Sequence, residues 1–133
     1  KAREAGLELS VYYLVGIGGR ERLREHALES AAVLSAMAPE FIRLRTYYPV
    51  PEAPLYQDIA SGAFQLPSPR EALRELELLV ENTSGPSMLL SDHVSNYLDL
   101  SGRLPEDRPD MLAEIREALT REESDFQRNI HRL

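Results

Sequence analysis

Leu7-Glu-Leu-Ser-Val-Tyr-Tyr-Leu-Val-Gly-Ile-Gly-Gly19 decides how the rest of the chain is read. Its first nine residues are rich in β-branched and aromatic side chains. Leu7, Leu9, Val11, Tyr13 and Val15 alternate on one face, and the other face turns apolar towards the end. That pattern predicts a strand buried on both sides, as in a parallel sheet. The glycines of Gly16-Ile-Gly-Gly19 then break it. From Arg22 to Ala38 the period becomes helical: Leu23, Ala27, Ala31 and Leu34 recur, with Leu28, Ala32 and Val33 widening the stripe, up to Pro39. Phe41-Ile-Arg-Leu-Arg-Thr-Tyr47 is a second strand. Strand, glycine turn, helix and strand make one βαβ unit, which requires parallel strands.

Beyond this unit, Pro49-Val-Pro-Glu-Ala-Pro54 is irregular, because each proline fixes φ and removes a donor. Leu55 to Gly62 reads as a short helix stopped by its glycine. Ser68-Pro-Arg-Glu71 opens a longer helix, with Ser as cap, Pro in the first turn and Glu completing a capping box. Leu73, Leu76, Leu79 and Val80 carry that helix to about Asn82. Ser84-Gly85-Pro86 is a turn and Ser87-Met-Leu-Leu-Ser91 a third strand. Asp92 to Arg103 reads as a loop with one helical turn. Asp107 is placed to cap a long last helix along Leu112, Ile115, Leu119, Phe126, Ile130 and Leu133. The expected architecture is α/β: three mainly parallel strands with flanking helices, a fragment of a partial TIM-like barrel, plus a long C-terminal helix. Residues 1–103 form the barrel part and 104–133 a helical extension. Three strands are too few to close a barrel of about eight, and they leave an open edge through which the chain can self-associate.

Composition narrows the function. Lys and Arg number 15 against 22 Asp and Glu, a net charge of −7. That balance argues against nucleic acid or an anionic membrane surface as a general partner, since both need clustered cations. No apolar run is long enough to span a bilayer. The chain starts Lys1-Ala-Arg-Glu4, without initiator Met or signal pattern, which reads as the middle of a longer cytoplasmic polypeptide. Cysteine is absent, so the chain can form no disulfide and hold no cysteine-ligated metal or iron–sulfur centre. No metal site is expected.

Several residues are placed to carry chemistry. The Gly16–Gly19 turn lies at the carboxyl end of a strand before a helix, where α/β sheets present ligands and amides favour anions. It serves equally well as a plain tight turn. Arg43 and Arg45 share one face of their strand, opposite Ile42 and Leu44. Guanidinium groups on an inner face call for a partner: either a carboxylate of a bound ligand or an internal salt bridge. Asp92 and His93 follow the third strand, with Asn96 and Tyr97 behind, at the usual address of site residues in such folds. Adjacent residues on an extended chain point opposite ways, so Asp92 and His93 are not a ready-made pair. His26 and His131 lack partner ligands at metal spacing and read as surface or packing residues.

Three stretches taken together resemble the later part of a radical S-adenosylmethionine (radical SAM) barrel. Tyr13-Leu-Val-Gly-Ile-Gly-Gly19 is similar to the family's fifth-strand motif, an apolar strand running into a glycine pair beside the adenine. Phe41 to Tyr56, with its Pro-Val-Pro and Pro-Leu-Tyr, resembles the sixth strand and the segment after it. Ser91-Asp-His-Val-Ser-Asn-Tyr97 is similar to a stretch of one branch of the family. Glu52-Ala53 and Arg20 depart from the family pattern, at the pair between the prolines and after the glycine pair. The resemblance implies a larger iron–sulfur oxidoreductase whose missing N-terminal half binds a 4Fe–4S cluster through three cysteines and cleaves S-adenosylmethionine. This chain alone would then bind no cofactor and not be catalytic. By the same resemblance, Val15, Gly16, Gly18, Arg45 and Tyr47 are expected at the cofactor, and Arg43, Asp92, His93 and Asn96 at the substrate. The alternative expectation is a non-catalytic α/β module that binds a nucleotide or a protein.

Overall fold

A computed structural model describes residues 8–93 and 95–122. Four strands form one sheet in the order β1-β2-β3-β4. They are β1 (Ser10–Val15), β2 (Phe41–Thr46), β3 (Ser87–Ser91) and β4 (Leu100–Leu104). β1 pairs with β2 and β2 with β3 in parallel, as the βαβ reading requires. β4 was not anticipated: all of it but Leu104 lies in the stretch read as a loop, and it pairs with β3 antiparallel. Among the described residues the sheet therefore has four strands, not three, and its last pair reverses direction.

The helices follow their local signals. α1 (Leu23–Met37) ends on Ala38 in the left-handed conformation, just before Pro39. α2 (Pro54–Ser61) stops at Gly62, whose φ of 87° suits glycine alone among common residues. α3 (Pro69–Asn82) begins with the full capping box, in which the Ser68 side chain accepts from the Glu71 N–H and the Glu71 carboxylate from the Ser68 N–H.

The last helix is shorter than expected. α4 (Arg108–Ala118) gives way to a turn at Leu119 and Thr120, so no single helix runs on from Asp107. Phe126, Ile130 and Leu133 lie outside the described residues. Asp107 also acts differently: its carboxylate accepts the N–H of Arg103 at 2.9 Å, tying the end of β4, and does not cap α4.

The core lies on one side of the sheet. Tyr13, Val15, Ile42, Leu44, Leu89, Leu100 and Leu104 point from the strands toward Leu34 of α1, Leu73, Leu76, Leu79 and Val80 of α3, and Met111 and Ile115 of α4. α4 thus contributes to the same core as the strands. On the other side, Tyr12 is 63% exposed and Leu14 37%, and Arg43 and Arg45 stand between them and β3. The expectation that β1 is buried on both faces is corrected here. α1, α3 and α4 supply the core on one face, and no described helix covers the second, because two layers suffice to bury one side of a sheet. Among the described residues no helix is long and apolar enough to cross a membrane.

Candidate functional site

The register of the sheet builds a site on the bare face. Tyr12 sits opposite Arg43, and Arg43 opposite Leu90, so one row crosses three strands. Arg45, two residues on, projects from the same face nearer the strand's carboxyl end. Asp92 and His93 leave β3 beside it. Together Tyr12, Arg43, Leu44, Arg45, Leu90, Asp92 and His93 line an open hollow of about 240 Å³.

The two arginines meet aromatic rings. The Arg45 guanidinium lies 4.9 Å from the Tyr12 ring centre and that of Arg43 lies 5.4 Å from Phe41. Both distances fall within cation–π range. Arg43 Nε also donates to Ser10 Oγ at 3.1 Å. Neither arginine forms an ion pair among the described residues, although Arg20, Arg22, Arg74, Arg103, Arg116 and Arg121 all do. Of the two partners considered for them, the internal salt bridge is not found among these residues. The rings hold the guanidinium planes in place without neutralising their charge.

The loop after β3 is fastened by its own polar groups. Ser95 is 3% exposed. Its hydroxyl accepts the Thr46 N–H at 3.0 Å and lies 2.8 Å from His93 Nδ1. The Ser95 N–H donates to the same nitrogen at 3.2 Å. Asn96 donates from its amide nitrogen to the Leu44 carbonyl and accepts from the Thr46 hydroxyl, both at 2.8 Å. Asn96 thus ties the loop to the end of β2 and is apart from the hollow, whereas His93 reaches it.

The residues expected at the cofactor are not gathered in one place. Val15 is 4% exposed and belongs to the core between β1 and α3. Gly16 and Tyr47 border a narrow space of about 50 Å³ beneath Pro67. Gly18 lines a wider hollow of about 480 Å³ with Arg20, Arg22, His26 and Phe64. The turn is not an open anion nest at the positions whose bonds are fixed. The Gly16 N–H donates to Glu75 at 3.1 Å, that of Gly19 to the Gly16 carbonyl, and that of Arg20 to the Gln65 carbonyl.

Glu75 is the residue that sequence reasoning missed. It is fully buried on α3, and its carboxylate accepts from the Tyr13 hydroxyl at 2.6 Å as well as from Gly16. His26 stacks on Tyr13 with ring centres 4.8 Å apart and brings Nε2 to 3.7 Å from Glu75. Burial raises the Glu75 carboxyl above the usual carboxylate range, against the lowering effect of Tyr13, His26 and Gly16. Burial, with the nearby carboxylate, also raises the Tyr13 hydroxyl. The signal was in the sequence: Ala72, Glu75, Leu76 and Leu79 follow helical spacing, so a carboxylate occupies a core position of the apolar stripe.

No set of described residues fits an iron–sulfur cluster. Cysteine is absent, and among the described residues no group of three His, Asp or Glu side chains could hold a metal ion. The fold and site define an open-faced α/β layer with a cationic hollow at the carboxyl ends of its parallel strands. Comparison with protein-family models, curated proteins and solved structures finds no match to this chain.

Proposed function

We propose that the chain is the later wall of a radical SAM barrel, its bare face turned to the barrel interior. One observation carries the reading: Arg43 from the middle of β2, Arg45 nearer its carboxyl end, and Asp92 and His93 just after β3 line one hollow on the uncovered face of the parallel strands. In α/β barrels the helices lie outside and the reacting groups lie at that rim. Antiparallel β4 ends the sheet beside β3, which favours an open barrel over a closed one, and the free edge of β1 is where a preceding strand joins.

In this reading S-adenosylmethionine lies at the rim beside Arg45, whose guanidinium takes the cofactor's carboxylate, while Gly18 and Tyr47 border separate spaces. Arg43, Asp92 and His93 face the substrate. Val15 and Gly16 shape the wall from behind, and Asn96 fixes the loop. The 4Fe–4S cluster belongs to the preceding half, so no step of its chemistry is assigned to these residues. The test is the reading frame upstream of Lys1. It should encode Cys-x-x-x-Cys-x-x-Cys within a βα-patterned half, and the whole protein, reconstituted with iron and sulfide, should show a cluster signal that S-adenosylmethionine perturbs. An upstream frame with no such cysteines overturns the proposal.

A second reading, a non-catalytic nucleotide-binding module, draws support from β4, which finishes one sheet edge without outside help. Calorimetry separates the two. Binding of ATP but not S-adenosylmethionine to this chain favours the module.

A further inference from the structure

His93 has a fixed proton position. A backbone N–H can only donate, so the 3.2 Å contact from the Ser95 amide makes His93 Nδ1 an acceptor. The Ser95 hydroxyl, 2.8 Å from that nitrogen, accepts the Thr46 N–H and has its own proton left to give to Nδ1. Neutral His93 therefore carries its proton on Nε2, which has no partner among the described residues.

The hollow it lines also receives Arg43, whose Nε is bonded to Ser10 while its two terminal nitrogens have no partner among the described residues. A guanidinium held against a ring and an imidazole N–H held by a serine present donors and no acceptor. Among the described residues Asp92 is the one acid lining this hollow, and there it is exposed and forms no ion pair. We infer that the substrate on this face carries an oxyanion, a carboxylate or a phosphate, bound between Arg43 and His93 Nε2–H, with Ser95 the residue that positions the imidazole. Charge-assisted donors of this kind are the strong ones. A chain of net charge −7 leaves few unneutralised cations for other anions to find.

The inference rests on the bare face being a ligand wall, yet its test does not depend on cluster chemistry. Long-range proton–nitrogen spectra of the full chain give the His93 tautomer directly. Nδ1 should resonate as an unprotonated nitrogen in the wild type, in Ser95→Thr and in Ser95→Ala, since all three keep the residue-95 N–H that donates to it. Ser95→Ala, which loses the hydroxyl that holds the ring, should bind phosphate or acetate more weakly than Ser95→Thr. Phosphate and acetate, added separately, should shift the His93 and Arg43 side-chain signals and saturate. Arg43→Gln should weaken that binding about tenfold or more, the effect of losing one charged hydrogen bond at an open site.

Three outcomes overturn the inference: a proton on Nδ1 in the wild type; no localised shift with either anion; or binding abolished by Arg45→Gln but untouched by Arg43→Gln, which assigns the anion site to the cofactor's carboxylate. Finding the upstream cysteines while seeing no anion shift removes the substrate class and leaves the barrel reading standing. Anion capture without those cysteines does the reverse.

Discussion

Replacing Glu75 by alanine and by glutamine tests how the glycine turn is held to the sheet. Glu75 is fully buried and satisfies two donors, the Tyr13 hydroxyl and the Gly16 N–H. Glu75→Ala orphans both, at about 1–3 kcal/mol each, so a loss of about 2–6 kcal/mol is expected from a domain whose total is about 5–15 kcal/mol. Glu75→Gln keeps an acceptor for Gly16 and offers its N–H₂ to the Tyr13 oxygen, so it should fold. The pH dependence separates charge from shape. A carboxyl whose folded pKa is raised binds its proton more tightly in the native state. Its contribution is therefore full below the unfolded value and is lost as pH rises through the folded one. Wild-type stability relative to Glu75→Gln should thus fall as pH increases from about 4.5, the ordinary glutamate range. Urea unfolding followed by circular dichroism at stepped pH measures this difference. A wild-type minus Gln difference that is flat, or that rises with pH, refutes the buried-carboxyl argument. Equal losses in Ala and Gln refute the hydrogen-bond accounting.

Other substitutions probe separate parts of the fold. Gly85→Ala places a Cβ 2.5 Å from the Leu104 carbonyl oxygen at a φ of +79°; strain alone costs about 1–3 kcal/mol and the backbone clash adds to it. Gly102→Ala meets the Met111 sulfur at 2.6 Å without positive φ, so overpacking of about 1–3 kcal/mol is expected, less than at Gly85; thermal unfolding that ranks them the other way contradicts this. Ser68→Ala removes one half of the capping box of α3 and should cost about 1 kcal/mol, read as a shift of the urea midpoint at constant slope. Arg43→Gln and Arg45→Gln, which break no ion pair among the described residues, should leave stability within about 0.5 kcal/mol of wild type; a larger loss would show that their ring contacts are structural.

Where the sequence was legible, the signal was local. Ser68-Pro-Arg-Glu71 encodes its own helix start, Gly62 its own stop, and Ile42 and Leu44 alternate with Arg43 and Arg45 whatever surrounds them. Those features need only neighbours along the chain, and the structure carries all of them. The convergence of Arg43, Arg45, Asp92 and His93 was also accessible, because strands that run parallel gather their carboxyl ends at one rim. Glu75 could have been found as the one acid inside the apolar stripe of α3.

What the chain's own spacing could not decide depends on contacts between distant segments. Leu100-Ser-Gly-Arg-Leu104 resembles a loop because Gly102 weakens any strand pattern, yet it pairs with β3 and Met111 of α4 packs against the glycine. Tyr12 and Leu14 read as buried because an apolar side chain looks the same whether or not a helix covers it, and coverage is a property of layers. The proton on His93 and the bonds that keep Asn96 away from the hollow arise from Ser95 and Thr46, brought together only when β2 and the loop after β3 meet. Periodicity along the chain determined which residues form each element and which share a face. Tertiary packing alone decided which face stays bare, because that depends on where the other elements go.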